Sequence, residues 1–239
     1  MTDAENSISP QQALMTMLLG IPVAHAIAAA AELGMFARLQ GGPLAAAALA
    51  QAAHTLEDPT YRLLRGLSAV GILAEDAERK FSLTRVGECL VPGTPGSFDA
   101  LARMNGSVWG SAPFAEYQHS LTTGESGFQK CHGHSLFDWL SQHPDAEELF
   151  GNAMSTFSGM EVELVLGAYD FASAAKVVDV GGGHGLLLSR VLETVPAARG
   201  VLFDGPRVIE RAKARWLESA LAHRCELLSR RGRVSAPGG

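Results

Sequence analysis

Residues 177–185 read Val-Val-Asp-Val-Gly-Gly-Gly-His-Gly. Val177 to Val180 make a short buried-strand run, and an apolar helical segment, Leu186 to Val195, follows the glycines. This order confines the chain locally to strand, tight turn, helix. The turn carries almost no side chains, so a ligand can lie against bare backbone, with the helix N-terminus aimed at it. Spacing separates two cofactor classes. Dinucleotide-binding turns use G-x-G-x-x-G. Here Gly181, Gly183 and Gly185 give G-x-G-x-G after the acidic strand-end residue Asp179, and Leu186 stands where the dinucleotide pattern has its last glycine. Nineteen residues after Gly185, the run Gly200 to Phe203 ends in Asp204. A carboxylate at the tip of a second strand can accept both hydroxyl hydrogens of a ribose. The competing reading is a tight glycine turn in an ordinary α/β unit.

At 239 residues the chain has room for one or two domains, and 47% hydrophobic against 18% charged residues is ample for a buried core. A net charge of −6 gives no general case for nucleic-acid binding. Cys89, Cys131 and Cys225 are odd in number and far apart, which argues for a reducing compartment. Met1 to Pro10 is polar and acidic and lacks the basic start of a signal peptide. A cytoplasmic location is expected. Ala13 to Ala31 contains no formal charge, but Thr16, Gly20, Pro22, His25 and the alanine run make it a poor membrane span. A buried helix pair at an interface is the better reading, and no membrane partner is expected.

Gln11 to Leu39 reads as helix, bent or broken near Pro22. Gly41-Gly42-Pro43 ends that unit, and Pro43 suits the first position of a helix over Leu44 to His54. Asp58-Pro59 reads as an N-cap and first residue of the next helix, which puts Tyr61, Leu64, Leu67 and Val70 on one face and stops at Gly71. Ile72 to Leu83 reads as a β-hairpin with a charged turn. Helix, helix, hairpin is a winged-helix arrangement, which opens a DNA-binding alternative. Its second helix offers only Arg62 and Arg65 as cations, and Glu75, Asp76 and Glu78 nearly cancel Arg79 and Lys80. A DNA reader needs a basic face, so packing or dimerisation is favoured and no nucleic acid is expected.

Residues 99–170 read as mainly helical: Leu101 to Leu121 broken around Pro113, a loop over Gly124 to Gly133, then helices over Ser135 to Gln142 and Asp145 to Tyr169. The stretch carries Met104, Trp109, Phe114, Phe128, Met154 and Phe157, which suit a flat ligand and equally suit a helical core. Cys131-His132-Gly133-His134 lies too close together for a usual tetrahedral metal site without distant ligands, so no metal is assigned. The C-terminal part reads as β-α-β-α and little more, with strands at Lys176 to Val180 and Gly200 to Phe203, a further strand expected at Cys225 to Leu228, and helices at Leu186 to Val195 and about Val208 to Leu221. Ser229 to Gly239 has no periodicity and reads as a flexible tail.

Taken together, Tyr-Arg-Leu-Leu-Arg-Gly-Leu at 61–67, Phe-Ser-Leu-Thr at 81–84, Ala-Tyr-Asp-Phe at 168–171, the glycine turn and Gly-Val-Leu-Phe-Asp-Gly-Pro at 200–206 carry a resemblance. From about Gln11 to Leu228 the chain resembles the S-adenosylmethionine-dependent small-molecule O-methyltransferases that join a dimerising winged helix to a Rossmann-like domain. The resemblance implies a mainly α winged-helix dimerisation domain at 11–98. It also implies a helical linker and acceptor-pocket region at 99–170, and an α/β Rossmann-like cofactor domain at 171–239, incomplete at its C-terminus. It further implies S-adenosyl-L-methionine as cofactor, a small aromatic acceptor, and a homodimer through the N-terminal helices. Residue by residue, it gives cofactor binding to Asp179, Gly181, Gly183, Asp204 and Ser158. It gives the acceptor pocket to Asn105, Trp109, Phe150, Met154 and Phe157. His184, inside the turn, is not read as a catalytic base.

Departures from the family pattern temper that expectation. Gly205 stands where the family usually has an adenine-contacting leucine. Leu228 is followed by Ser-Arg-Arg-Gly-Arg instead of a Gly-Asp-aromatic turn. From Arg207 to Arg233 there are eight basic and three acidic residues, a net of +5 against −6 for the chain. A βαβ unit takes about 30 residues, so the 64 residues after Ala175 hold about two. The sequence is therefore expected to be a truncated or frame-shifted reading of a longer enzyme. The resemblance places the base-supplying histidine beyond the third strand, so no catalytic residue is assigned and weak or no turnover is expected. A dimerisation or regulatory remnant that pairs with a full-length relative is the alternative.

Overall fold

The computed structural model describes residues 9–229. Of the expected polar start over Met1 to Pro10 and flexible tail over Ser229 to Gly239, residues 1–8 and 230–239 lie outside them; Ser9 and Pro10 open the first helix and Ser229 ends the last strand. The chain divides into two compact units after Phe150.

The first unit opens with helices α1 (Pro10–Leu18), α2 (Gly20–Glu32) and α3 (Met35–Leu39). Ser9 caps α1 in a reciprocal capping box with Gln12. The expected break at Pro22 falls instead at Leu19. Pro22 is the third residue of α2, in the first turn, where its missing N–H has no intrahelical acceptor to lose. Pro43 does not begin a helix. It precedes β1 (Leu44–Ala45), which pairs with β3 before α4 (Ala46–Ala53) starts. Helix α5 (Glu57–Ala69) starts one residue before Asp58, with Leu56 at its N-cap and no side-chain cap. Its buried face is Thr60, Leu64 and Leu67, with Val70 exposed. Thr60 tolerates burial because its hydroxyl lies 2.7 Å from that of Thr55.

Strands β2 (Leu73–Glu75) and β3 (Lys80–Leu83) form the expected hairpin, and the antiparallel sheet has the order β1-β3-β2. Phe81 on the central strand faces Leu44 and Glu75 and is fully buried among Met35, Phe36, Leu49, Leu64 and Leu67. Each such side chain contributes about 1.5–3 kcal/mol of burial, which locks sheet and helices into one core. Helix α6 (Arg85–Glu88) follows, capped by Thr84. Then come α7 (Asp99–Gly106), α8 (Val108–Ser111), a 3₁₀ turn over Ala112–Glu116, and α9 (Tyr117–Thr123). A Cβ on Gly106 would lie 2.0 Å from that of Ala28, so the absence of a side chain there lets α7 lie directly on α2. Arg103 and Glu32 close the same contact with an ion pair.

The expected loop over Gly124 to Gly133 contains helix α10 (Gly127–His132). Phe128 and His132, one turn apart, both pack on Trp139 of α11 (Leu136–Leu140), at 5.8 and 5.2 Å between ring centres. Helix α12 (Pro144–Ala168) runs across the division between the units.

The second unit holds a parallel sheet in the order β4 (Lys176–Val180), β5 (Arg199–Asp204), β6 (Cys225–Ser229). Its crossovers are α13 (Leu186–Thr194) and α14 (Pro206–Leu217). Leu188, Leu192, Leu202, Ile209, Ala212 and Trp216 form its buried core. Arg224, just before β6, donates to the carbonyls of Leu192, Val195, Pro196 and Ala198. It thereby satisfies the bare C-terminus of α13 with a cation. The expected buried run over Val177 to Val180 is not buried along its length: Val177 and Asp179 are half-buried, and Val178 and Val180, on the other face of β4, are exposed.

Candidate functional site

All three parallel strands end on the same side, and the Gly181–Gly185 turn lies at that edge between β4 and α13. Ligands of open α/β sheets bind at such carboxyl edges. Gly181, Gly183 and Gly185 have φ of +73°, +57° and +78°. L-residues pay about 1–2 kcal/mol for that conformation, so glycine is demanded by the backbone. At Gly181 and Gly183 a Cβ would meet nothing within 4 Å, which leaves an open, backbone-lined cradle.

Asp204 at the end of β5 builds this cradle as well as facing it. Its Oδ2 accepts the Gly183 N–H at 2.8 Å, and its Oδ1 accepts the Gly205 N–H at 2.6 Å. The Gly181 N–H donates to the Phe203 carbonyl at 2.8 Å. The turn is thus tied to the tip of the second strand at its start and at its middle. Each carboxylate oxygen retains acceptor capacity beyond its one backbone donor.

Asp179 lies beneath the turn. Its Oδ2 is buried without a hydrogen-bond partner among the described residues. Burial pushes its pKa above the ordinary carboxylate value, and repulsion from Asp204 adds to this, while a bond from the Leu188 backbone opposes both. A Cβ on Gly182 would lie 2.5 Å from that Oδ2 and 2.5 Å from Leu202 Cδ1. Gly182 is therefore a fourth constrained glycine, at a position the G-x-G-x-G spacing leaves free. Gly185 is held differently again: a Cβ there would lie 2.8 Å from the Trp216 indole, whose Nε1 donates to the His184 carbonyl at 3.2 Å. Neither Gly182 nor Trp216 was singled out by sequence reasoning. The only advance signal was a run of three glycines where the pattern needs two.

Ser158 and Met154, four residues apart on α12, are both half-buried, and Phe157 is 44% exposed. These three belong to the second unit; Asn105, Trp109 and Phe150 belong to the first. Within the first unit Trp109 lines a groove of about 910 Å³, together with Trp139, His143, His25 and Arg103. Trp139 stacks on His143 at 3.7 Å and tilts against Trp109 at 5.6 Å. Asn105 is exposed and Phe150 meets Phe137 edge-on at 6.0 Å; neither lines that groove. Of the Cys-His-Gly-His run, His132 lies against Phe128 and within 3.2 Å of the Trp109 carbonyl. No group of three or more metal-ligating side chains is found among the described residues.

Residues 15–93 match the O-methyltransferase dimerisation domain family, and residues 114–229 match the O-methyltransferase domain family. The chain is 36% identical over 219 residues to the mitomycin biosynthesis 6-O-methyltransferase of Streptomyces lavendulae, covering 91% of this chain and 63% of that protein. Among solved structures it resembles the mitomycin 7-O-methyltransferase MmcR, with a TM-score of 0.84 and 36% identity over 96% of this chain and 68% of that one. It also resembles NcsB1, an O-methyltransferase from neocarzinostatin biosynthesis, with a TM-score of 0.74 and 29% identity over 91% of this chain and 66% of that one. NcsB1 was crystallised with S-adenosyl-L-homocysteine and 1,4-dihydroxy-2-naphthoic acid.

Proposed function

The chain belongs to the O-methyltransferase family, and from that premise we propose that it binds S-adenosylmethionine and serves methylation of a hydroxyl on a small aromatic natural product. One observation carries the reading: the Gly181–Gly185 turn, open above and tied to Asp204 by the Gly183 N–H. It offers bare backbone and a carboxylate side by side, which is what an adenosyl cofactor needs. In this reading Gly181 and Gly183 lie against the methionine portion, Asp204 accepts the ribose hydroxyls, and Ser158 helps hold the cofactor's carboxylate. Asp179 supports the turn from below. When bound, the cofactor supplies a methyl group on an electrophilic sulfonium. The chain's own contribution is alignment.

Asn105, Trp109, Phe150, Met154 and Phe157 are the proposed acceptor-pocket residues. Their aromatic and sulfur side chains suit a flat ring. A phenol with a pKa near 10 must lose its proton for the oxygen to attack, and no residue between 9 and 229 is assigned that role. The reading assigns this chain methyl transfer to a phenolic hydroxyl. Purified protein incubated with radiolabelled cofactor and a panel of phenols tests this. Methyl transfer to a phenol would support the reading, and failure to bind the cofactor would refute it as a whole.

The homodimer belongs to the same proposal. Leu14, Met15, Met17, Leu18, Leu19 and Ile21 are all exposed along α1 and the start of α2, a run of bare apolar side chains of the kind that marks an interaction site. Pro10–Glu32 is long and apolar enough to cross a membrane by length and composition. The match to a dimerisation domain supports cover by a second copy instead. Two of the cations of the winged helix, Arg65 and Arg79, are engaged within it. Arg65 pairs with Glu75 at 3.1 Å and donates to Tyr61, and Arg79 lies over the Tyr61 ring. That supports packing over DNA contact.

A further inference from the structure

His184 sits between two left-handed glycines, so its backbone belongs to the cofactor turn while its side chain leaves it. The ring reaches α12. Its Nδ1 lies 3.3 Å from Ser155 Oγ, and a Cβ built on Gly151 would lie 3.4 Å from its Cε1 and 3.5 Å from its Nε2. Ser155 donates its single hydroxyl proton to the Gly151 carbonyl at 3.0 Å. The same oxygen is then the acceptor toward the ring, so Nδ1 carries a proton and points at Ser155.

This contact begins a row. Gly151, Ser155, Gly159 and Glu163 recur every four residues along one stripe of α12. Gly159 faces Leu186, with its built Cβ 3.8 Å from Leu186 Cδ2, and Glu163 pairs with Arg190 at 2.7 Å. The two glycines let the helix lie close, and Glu163 anchors the far end. His184 is the member of this row that belongs to the turn itself. Ser158, Met154 and Phe157 stand on the same helix, one to three residues from Ser155.

We propose that His184 is a positioning residue that acts through Ser155. Its Nδ1–H bond fixes the rotation and separation of α12 against the glycine turn. That in turn sets Ser158, Met154 and Phe157 relative to whatever occupies the cradle. The inference rests on the cofactor reading above.

The test is calorimetric titration of the 239-residue chain and its variants with S-adenosylhomocysteine, alongside thermal unfolding. One net hydrogen bond contributes about 0.5–1.5 kcal/mol. His184→Ala and Ser155→Ala should therefore each weaken binding by roughly two- to tenfold. The double variant should bind no worse than the weaker single one, because both changes remove the same bond. His184→Asn, whose amide N–H overlays Nδ1, should restore most of the affinity, which filling space alone would not achieve. Ser155→Ala and His184→Asn keep the test open if His184→Ala fails to fold. Wild-type affinity in both single variants, or losses that add in the double variant, would overturn the inference. A wild-type chain that takes up no S-adenosylhomocysteine would instead overturn the cofactor reading on which it stands.

Discussion

The Asp204 carboxylate accepts the Gly183 N–H at 2.8 Å across 21 residues of sequence, and so the tip of β5 holds the turn that follows β4. The other oxygen takes the Gly205 N–H. Asp204→Asn leaves one acceptor oxygen for two backbone donors and turns an amide N–H toward the other. The expected cost is about 1–3 kcal/mol, read as a lower urea midpoint with unchanged slope. A midpoint equal to wild type would show that the backbone bonds do not support the turn.

Gly185→Ala is expected to be worse tolerated than its size suggests. The new Cβ must enter a left-handed backbone position and a space 2.8 Å from the Trp216 ring. Strain of about 1–2 kcal/mol for the conformation adds to about 1–3 kcal/mol for overpacking. Gly205→Ala is the matched control, since Gly205 has φ −59° and open space around its Cβ position. Equal unfolding midpoints for the two variants would refute this account of Gly185.

The same freedom at Gly205 makes a gain possible. Its conformation suits any residue at a helix N-cap position, and nothing lies within 4 Å of a built Cβ. Gly205→Leu restores the side chain that the family resemblance places against the adenine. Burying roughly 40 Å² of apolar surface at about 25 cal/mol per Å² gives about 1 kcal/mol, or roughly fivefold tighter S-adenosylhomocysteine binding. Unchanged or weaker binding would mean that the adenine does not lie over this position.

The three thiols are expected to separate into two classes. Cys89 and Cys131 are exposed, whereas Cys225 is half-buried at the start of β6. Burial first, and then the nearby charges of Asp179 and Glu226, push the Cys225 thiol up to about 11. The thiolate is the reactive species. At pH 8 a disulfide reagent should titrate two thiols quickly and the third slowly, with Cys225→Ser removing the slow phase. Loss of a fast phase in that variant would contradict the placement.

What the sequence made legible was local. The strand, turn and helix around Gly181–Gly185 follow from an apolar run, positive-φ glycines and a second apolar run, and Asp204 follows from spacing. The hairpin over 73–83 follows from alternation about a charged turn. What stayed hidden depends on partners distant in the chain. Gly182 is required because Asp179 and Leu202 lie beneath it, and Gly185 because Trp216, 31 residues on, packs against it. Helix α10 forms inside an apparent loop because Trp139 gives Phe128 and His132 a surface to pack on. Pro22 was the obvious breaker, yet the break moved to Leu19, since a proline in the first turn interrupts no bond.

Calorimetric titration of the intact chain with S-adenosylhomocysteine, compared with Asp204→Asn, tests the central claim most directly. We predict saturable binding of one molecule per chain, weakened roughly tenfold or more by the substitution, as befits loss of a hydrogen bond to a charged group. No heat of binding up to about 1 mM ligand, the limit near −4 kcal/mol, would contradict the account, as would equal affinity in the two proteins.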